Sequence, residues 1–108
     1  MSSLVERGMI AAEKFLVRKG YEVLDSRDGF VVAMDDEALA FVKVRVREGD
    51  GFCDFDSSKS MRQEFECFAL RWLLENKHVD VPIRFDELAM VVVGDDRALL
   101  RHHINCLN

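Results

Sequence analysis

Three cations spaced two residues apart, Lys43, Arg45 and Arg47, stand in the run Phe41-Val42-Lys43-Val44-Arg45-Val46-Arg47. Apolar and basic side chains alternate strictly, so the segment is a strand with Val42, Val44 and Val46 on its core face and the cations on the other. Same-face residues repeat every ~6.6–7 Å, comparable with the spacing of backbone phosphates, so phosphate contact is the chemistry this stripe could perform. The competing reading pairs the cations with nearby carboxylates, for example Glu22 or Asp86, or leaves them facing water.

Other candidates are weaker. His102 and His103 are adjacent, so on a strand they point to opposite faces and cannot chelate one ion together; a solvated strand end is expected. Cys106, three residues beyond His103, adds no metal-site spacing. Asp50, Asp54 and Asp56 lack the ordered spacing and terminal glutamate of a calcium loop. Ser57, Ser58 and Ser60 suit helix capping, since no His–Asp pair marks any of them as a nucleophile. Phe65, Phe68 and Trp72 fall at core spacing rather than forming a base-stacking platform.

These residues are positioned by a short series of elements. Ser3-Leu4-Val5-Glu6 has the form of a capping box and places a helix start near Ser3. Val5, Met9, Ala12 and Leu16, with Phe15, form its buried stripe, and Gly20 suits the position after its end. Strands follow at 21–25, 30–34 and 38–47, joined by Arg27-Asp28-Gly29 and Asp35-Asp36-Glu37, which implies an antiparallel meander. An acidic loop over 48–57 leads to a second helix reaching about Lys77, with Met61, Phe65, Phe68 and Trp72 buried, beside Ala69 and Leu73. Asp80-Val81-Pro82 breaks that pattern. Strands at 85–93, apolar enough to be central, and 98–104 close the chain.

The 108 residues suffice for one domain over 1–108 with a single core. Three cysteines at wide spacing, Cys53, Cys67 and Cys106, argue for reduced thiols and a cytoplasmic setting, against a disulfide framework or a zinc site. No apolar run is long enough to span a bilayer, no secretory signal is expected, and no membrane partner is implied. The net charge of −5 opposes general nucleic-acid binding, because phosphate affinity comes from clustered Lys and Arg. Residues 35–58 carry seven acids against three bases, and those bases are the stripe itself.

The order and content of these elements resemble the YraN family of the restriction-endonuclease-like superfamily over nearly the whole chain. Gly8-x-x-Ala11-Ala12 through Phe15-Leu16 and Gly20-Tyr21 is similar to that family's first helix and its exit. Asp28-Gly29-Phe30-Val31-Val32-Ala33-Met34 occupies the place of its Gly-Glu-Ile-Asp-Leu-Ile strand, and residues 41–47 that of Phe-Val-Glu-Val-Lys-x-Arg. Lys59 resembles the lysine opening the second helix. Arg84-Phe85-Asp86 and His103-Ile104-Asn105-Cys106 match later family segments. The resemblance implies a mixed five-stranded α/β sheet, a meander plus later strands, flanked by two helices.

It also implies a metal-dependent nuclease site, and here this sequence departs. Where the superfamily places an Asp and then Glu-x-Lys, this chain has Val32, Lys43 and Arg45; Phe30 and Met9 replace two further glutamates. Hard divalent cations require oxygen ligands, so two cations beside two apolar side chains repel such a metal. The expectation is a degenerate active site: no enzyme, no cofactor and no catalytic residues. Lys43, Arg45, Arg47 and Lys59 are then the candidate nucleic-acid contacts, weak and salt-dependent. Two alternatives stay open. One is a protein-interaction module or homodimer using apolar surface freed by Phe30, Val32 and Met34. The other is a relocated metal site among Asp54, Asp56, Asp86 and Glu87.

Overall fold

The structure, a computed structural model, describes residues 4–48, 59–76, 80–93 and 97–107. Helix α1 (Leu4–Arg18) is followed by β1 (Glu22–Arg27), β2 (Phe30–Met34) and β3 (Leu39–Glu48). Helix α2 (Lys59–Glu75), β4 (Ile83–Val93) and β5 (Arg97–His103) complete the order. The strands form one sheet in the order β1-β2-β3-β4-β5. The first three make the expected antiparallel meander, β4 joins β3 in parallel after the α2 crossover, and β5 returns antiparallel. The mixed five-stranded α/β architecture expected from the sequence is therefore the one observed, and it is consistent with a restriction-endonuclease-like fold.

Local chemistry accounts for the junctions. The α1 terminus closes with Tyr21 N–H donating to Leu16 C=O at 3.0 Å and Gly20 N–H to Val17 C=O at 3.0 Å, the paired bonds of a Schellman end. Asp28 and Gly29 both have positive φ, 54° and 80°, which is the two-residue turn that matches the right-handed twist of β1 and β2. Gly8 answers a different need. A Cβ there would lie 2.1 Å from Val46 Cγ2, so only glycine lets α1 sit this close to β3.

The two helices cover opposite faces of the sheet. Against α1 pack Val31, Ala33, Ala40, Val42, Leu88 and Met90. Against α2 pack Phe30, Val32, Leu39 and Phe41, facing Met61, Phe65, Phe68, Ala69 and Trp72, so the helical stripe read from the sequence is buried as expected. Val5 is a correction to that reading: it is 58% exposed, because the first turn of α1 meets the polar β1–β2 hairpin tip rather than the sheet, and Gly8 takes its place in the buried stripe. No helix among the described residues is long and apolar enough to cross a membrane.

Candidate functional site

Antiparallel pairing sets Phe30 opposite Lys43, and parallel pairing sets Lys43 beside Glu87 and Arg45 beside Ala89. Strand alternation then places Phe30, Val32, Lys43, Arg45, Arg47 and Glu87 on the α2 side of the sheet. Four of the five positions singled out by the resemblance thus share one face. The fifth, Met9, packs from α1 against the opposite face.

The centre of this face is packed. Phe30 stacks on Phe68, with centroids 4.2 Å apart and planes at 17°, and meets Phe65 edge-on at 5.4 Å. Val32 is fully buried beneath α2. The Lys43 ammonium lies 2.5 Å from the Glu64 carboxylate of α2 and 5.4 Å from the Phe30 ring centroid, a cation over an aromatic face. Arg45 reaches Glu87 at 3.4 Å, a long contact from a side chain 43% exposed. Arg47 is exposed near the end of β3 and makes no ion pair with another described residue. Lys59 opens α2, but its side chain, like Asp50, Asp54, Asp56, Ser57 and Ser58, lies outside the described residues.

The carboxylates that meet the stripe are therefore Glu64 and Glu87. The expected partners Glu22 and Asp86 do not reach it: Glu22 stands on the edge strand β1, and Asp86 faces the α1 side. The apolar surface expected from Phe30, Val32 and Met34 is likewise not free, since α2 takes it up. Asp86 and Glu87 are sequence neighbours on one strand and point to opposite faces, so they do not converge on one metal. Among the described residues no three His, Cys, Asp or Glu side chains are grouped to hold an ion.

Burial pushes the Glu87 carboxyl above the ordinary glutamate value, and the Arg45 charge only partly offsets this. The Cys106 thiol is pushed up to about 11 by burial and by Glu87 and Asp86, which removes it as a nucleophile at neutral pH.

The opposite face holds a polar network that the sequence pattern did not reveal. Asp86, fully buried, accepts from Arg84 Nε at 2.9 Å and Nη2 at 3.0 Å, from the Asn105 backbone N–H at 2.9 Å, and pairs with His102 Nε2 at 2.9 Å. Lys19 Nζ lies 2.8 Å from His102 Nδ1. An ammonium only donates, which assigns the neutral His102 proton to Nε2, toward Asp86. Arg84 continues to the Tyr21 hydroxyl at 2.7 Å and to Asp35 at 2.5 Å. Burial alone would raise the Asp86 carboxyl, but the His102, Arg84 and Asn105 bonds outweigh it and hold it below the ordinary range. His102 is accordingly no solvated strand end, as its side chain is 4% exposed. The available signal was Arg84-x-Asp86 inside a central strand: charges on one face of a buried strand must find partners.

No protein-family model matches the chain. It is 31% identical over 107 residues to a UPF0102 protein of Geobacter sulfurreducens, a match covering 92% of this chain and 84% of that protein.

Proposed function

The chain belongs to the UPF0102 (YraN) family, and from that premise we propose that it is a non-hydrolytic nuclease-fold domain making weak backbone contacts with nucleic acid. The observation that carries this reading is the Lys43 ammonium, held between Glu64 and the Phe30 ring where the superfamily would need a metal-binding carboxylate. A fixed positive charge there opposes a divalent cation directly, at a distance where Coulomb repulsion is large in a half-buried setting. Val32 and Phe30, the neighbouring positions, support the same reading by contributing apolar packing instead of oxygen ligands.

Glu64 and Glu87 neutralise Lys43 and Arg45 locally, so Arg47 and the exposed part of Arg45 supply the attraction for phosphate. Binding on this account is weak, indifferent to sequence and steeply salt-dependent. The test is fluorescence anisotropy with duplex DNA and single-stranded RNA over a salt series, alongside a cleavage assay in Mg²⁺ and Mn²⁺. Arg45→Gln with Arg47→Gln should flatten the slope of log K against log salt by about 0.7–0.9 for each phosphate no longer neutralised. Equal, undetectable binding by wild type and variant at low salt sinks the nucleic-acid role. Metal-dependent cleavage abolished by Lys43→Ala sinks the non-hydrolytic one.

A further inference from the structure

His102 is held at its two ring nitrogens by partners of opposite charge. Its Nε2–H donates to the buried Asp86 carboxylate at 2.9 Å, and its Nδ1 accepts from the Lys19 ammonium at 2.8 Å. The ring meets Phe15 and Tyr21 edge-on, each with centroids 6.0 Å apart. The Lys19 ammonium lies 5.4 Å and 6.0 Å from the centroids of the same two rings. The charged and titratable side chains around the imidazole are Lys19 just past α1, and Arg84 and Asp86 on β4. Tyr21 and Asp35 join through Arg84.

Asp35 and Asp86 bring two negative charges to this cluster and Arg84 one positive, so it is one positive charge short while His102 is neutral. Lys19 supplies that charge. A proton on Nδ1 supplies it equally, but not together with Lys19. An Nδ1–H has no lone pair to accept the ammonium, and two cations would then face each other at hydrogen-bond distance.

We infer that His102 and Lys19 form a proton-operated latch between β5 and the end of α1, in which a proton bound at Nδ1 displaces the Lys19 ammonium into water. The proton comes from solvent and occupies the Nδ1 lone pair, while Asp86 goes on accepting from Nε2–H in a charge-assisted bond. Lys19 is exposed, and its ammonium carries three donors on a flexible four-carbon stem, so water replaces the imidazole as its partner. The end of α1 stays closed by the Gly20 and Tyr21 backbone bonds, which confines the release to the side chain. The order carboxylate, imidazole, amine suggests a nucleophile at Lys19, but an ammonium donating to the imidazole has no lone pair to attack with. The latch lies across the sheet from Lys43 and does not depend on the nucleic-acid reading.

The test is an NMR titration of the isotope-labelled full chain from about pH 8 to about pH 5, the span in which imidazoles titrate. Asp35 and Asp86 are both held below the ordinary carboxylate range and stay ionised across it. At the alkaline end the long-range ¹H–¹⁵N spectrum should place the His102 proton on Nε2, and nuclear Overhauser contacts should join the Lys19 ε-methylene to the Phe15 and Tyr21 rings. As Nδ1 takes up its proton, those contacts should disappear with the same midpoint. His102→Gln, whose amide can donate to Asp86 and accept from Lys19 at every pH, should keep them throughout. Five results overturn the inference: a neutral His102 protonated on Nδ1, contacts absent at the alkaline end, a His102 still neutral at the acid end, contacts that survive its protonation, or their loss at the wild-type midpoint in the Gln variant. The wild-type titration decides the matter alone should that variant not fold.

Discussion

Asp86 and Glu87 are consecutive residues of one strand, both essentially removed from solvent, yet their carboxyls are pushed in opposite directions. On the α1 side Asp86 is met by Arg84 twice, by His102 and by a backbone amide. On the α2 side Glu87 has Arg45 at 3.4 Å, reaching in from a partly exposed position. Burial penalises both charges, so the number and closeness of donors decides which carboxylate stays easily ionised. The first cluster is built to hold the fold. The second leaves a buried acid with one long contact to Arg45, a cation that stands half in water.

The largest expected effect tests the first half of that contrast. Asp86→Ala removes one of the two carboxylates that hold the half-buried Arg84, takes the acceptor from the His102 ring and releases the turn at Asn105, and should cost about 3–5 kcal/mol. Denaturant unfolding measures it; a loss below about 1 kcal/mol would erase the distinction between the clusters. Acid should act on the same group. With its folded pKa depressed, Asp86 contributes stability that is present above the unfolded carboxylate value and lost as pH falls through the folded one. The acid limb of the stability profile should therefore shrink in Asp86→Ala.

Glu87→Gln should move stability the other way. Its folded pKa is raised, so its favourable contribution is complete below the unfolded value and disappears as pH rises through the folded one. The variant should match wild type in acid and melt higher at neutral pH. A lower melting temperature at pH 7 would mean that the Arg45 contact outweighs the burial cost.

The smallest effect belongs to Lys43→Met. Its partner Glu64 is 50% exposed, and such pairs are worth ~0–1 kcal/mol. A double-mutant cycle with Glu64→Gln should give a coupling energy within that range, and a value well above it would make Lys43 a structural residue rather than a tolerated one.

Near-neighbour rules decided much of this molecule. Alternation along 41–47 put Lys43, Arg45 and Arg47 on one face, the Asp28-Gly29 pair made the hairpin, and the spacing of Phe65, Phe68 and Trp72 made the buried face of α2. Each follows from geometry repeated every two or every 3.6 residues, which a sequence displays directly. Which carboxylate meets which cation does not repeat. Glu87 stands beside Lys43 only because the crossover through α2 returns β4 parallel in that register. Tyr21 and Asp35 reach Arg84 across 63 and 49 residues of chain. A one-residue slip of β4 would exchange the faces of Asp86 and Glu87, and with them the multiply bonded carboxylate and the sparsely met one. That charges would stand on these strands was written in the chain; the register of the folded sheet decided what each of them does.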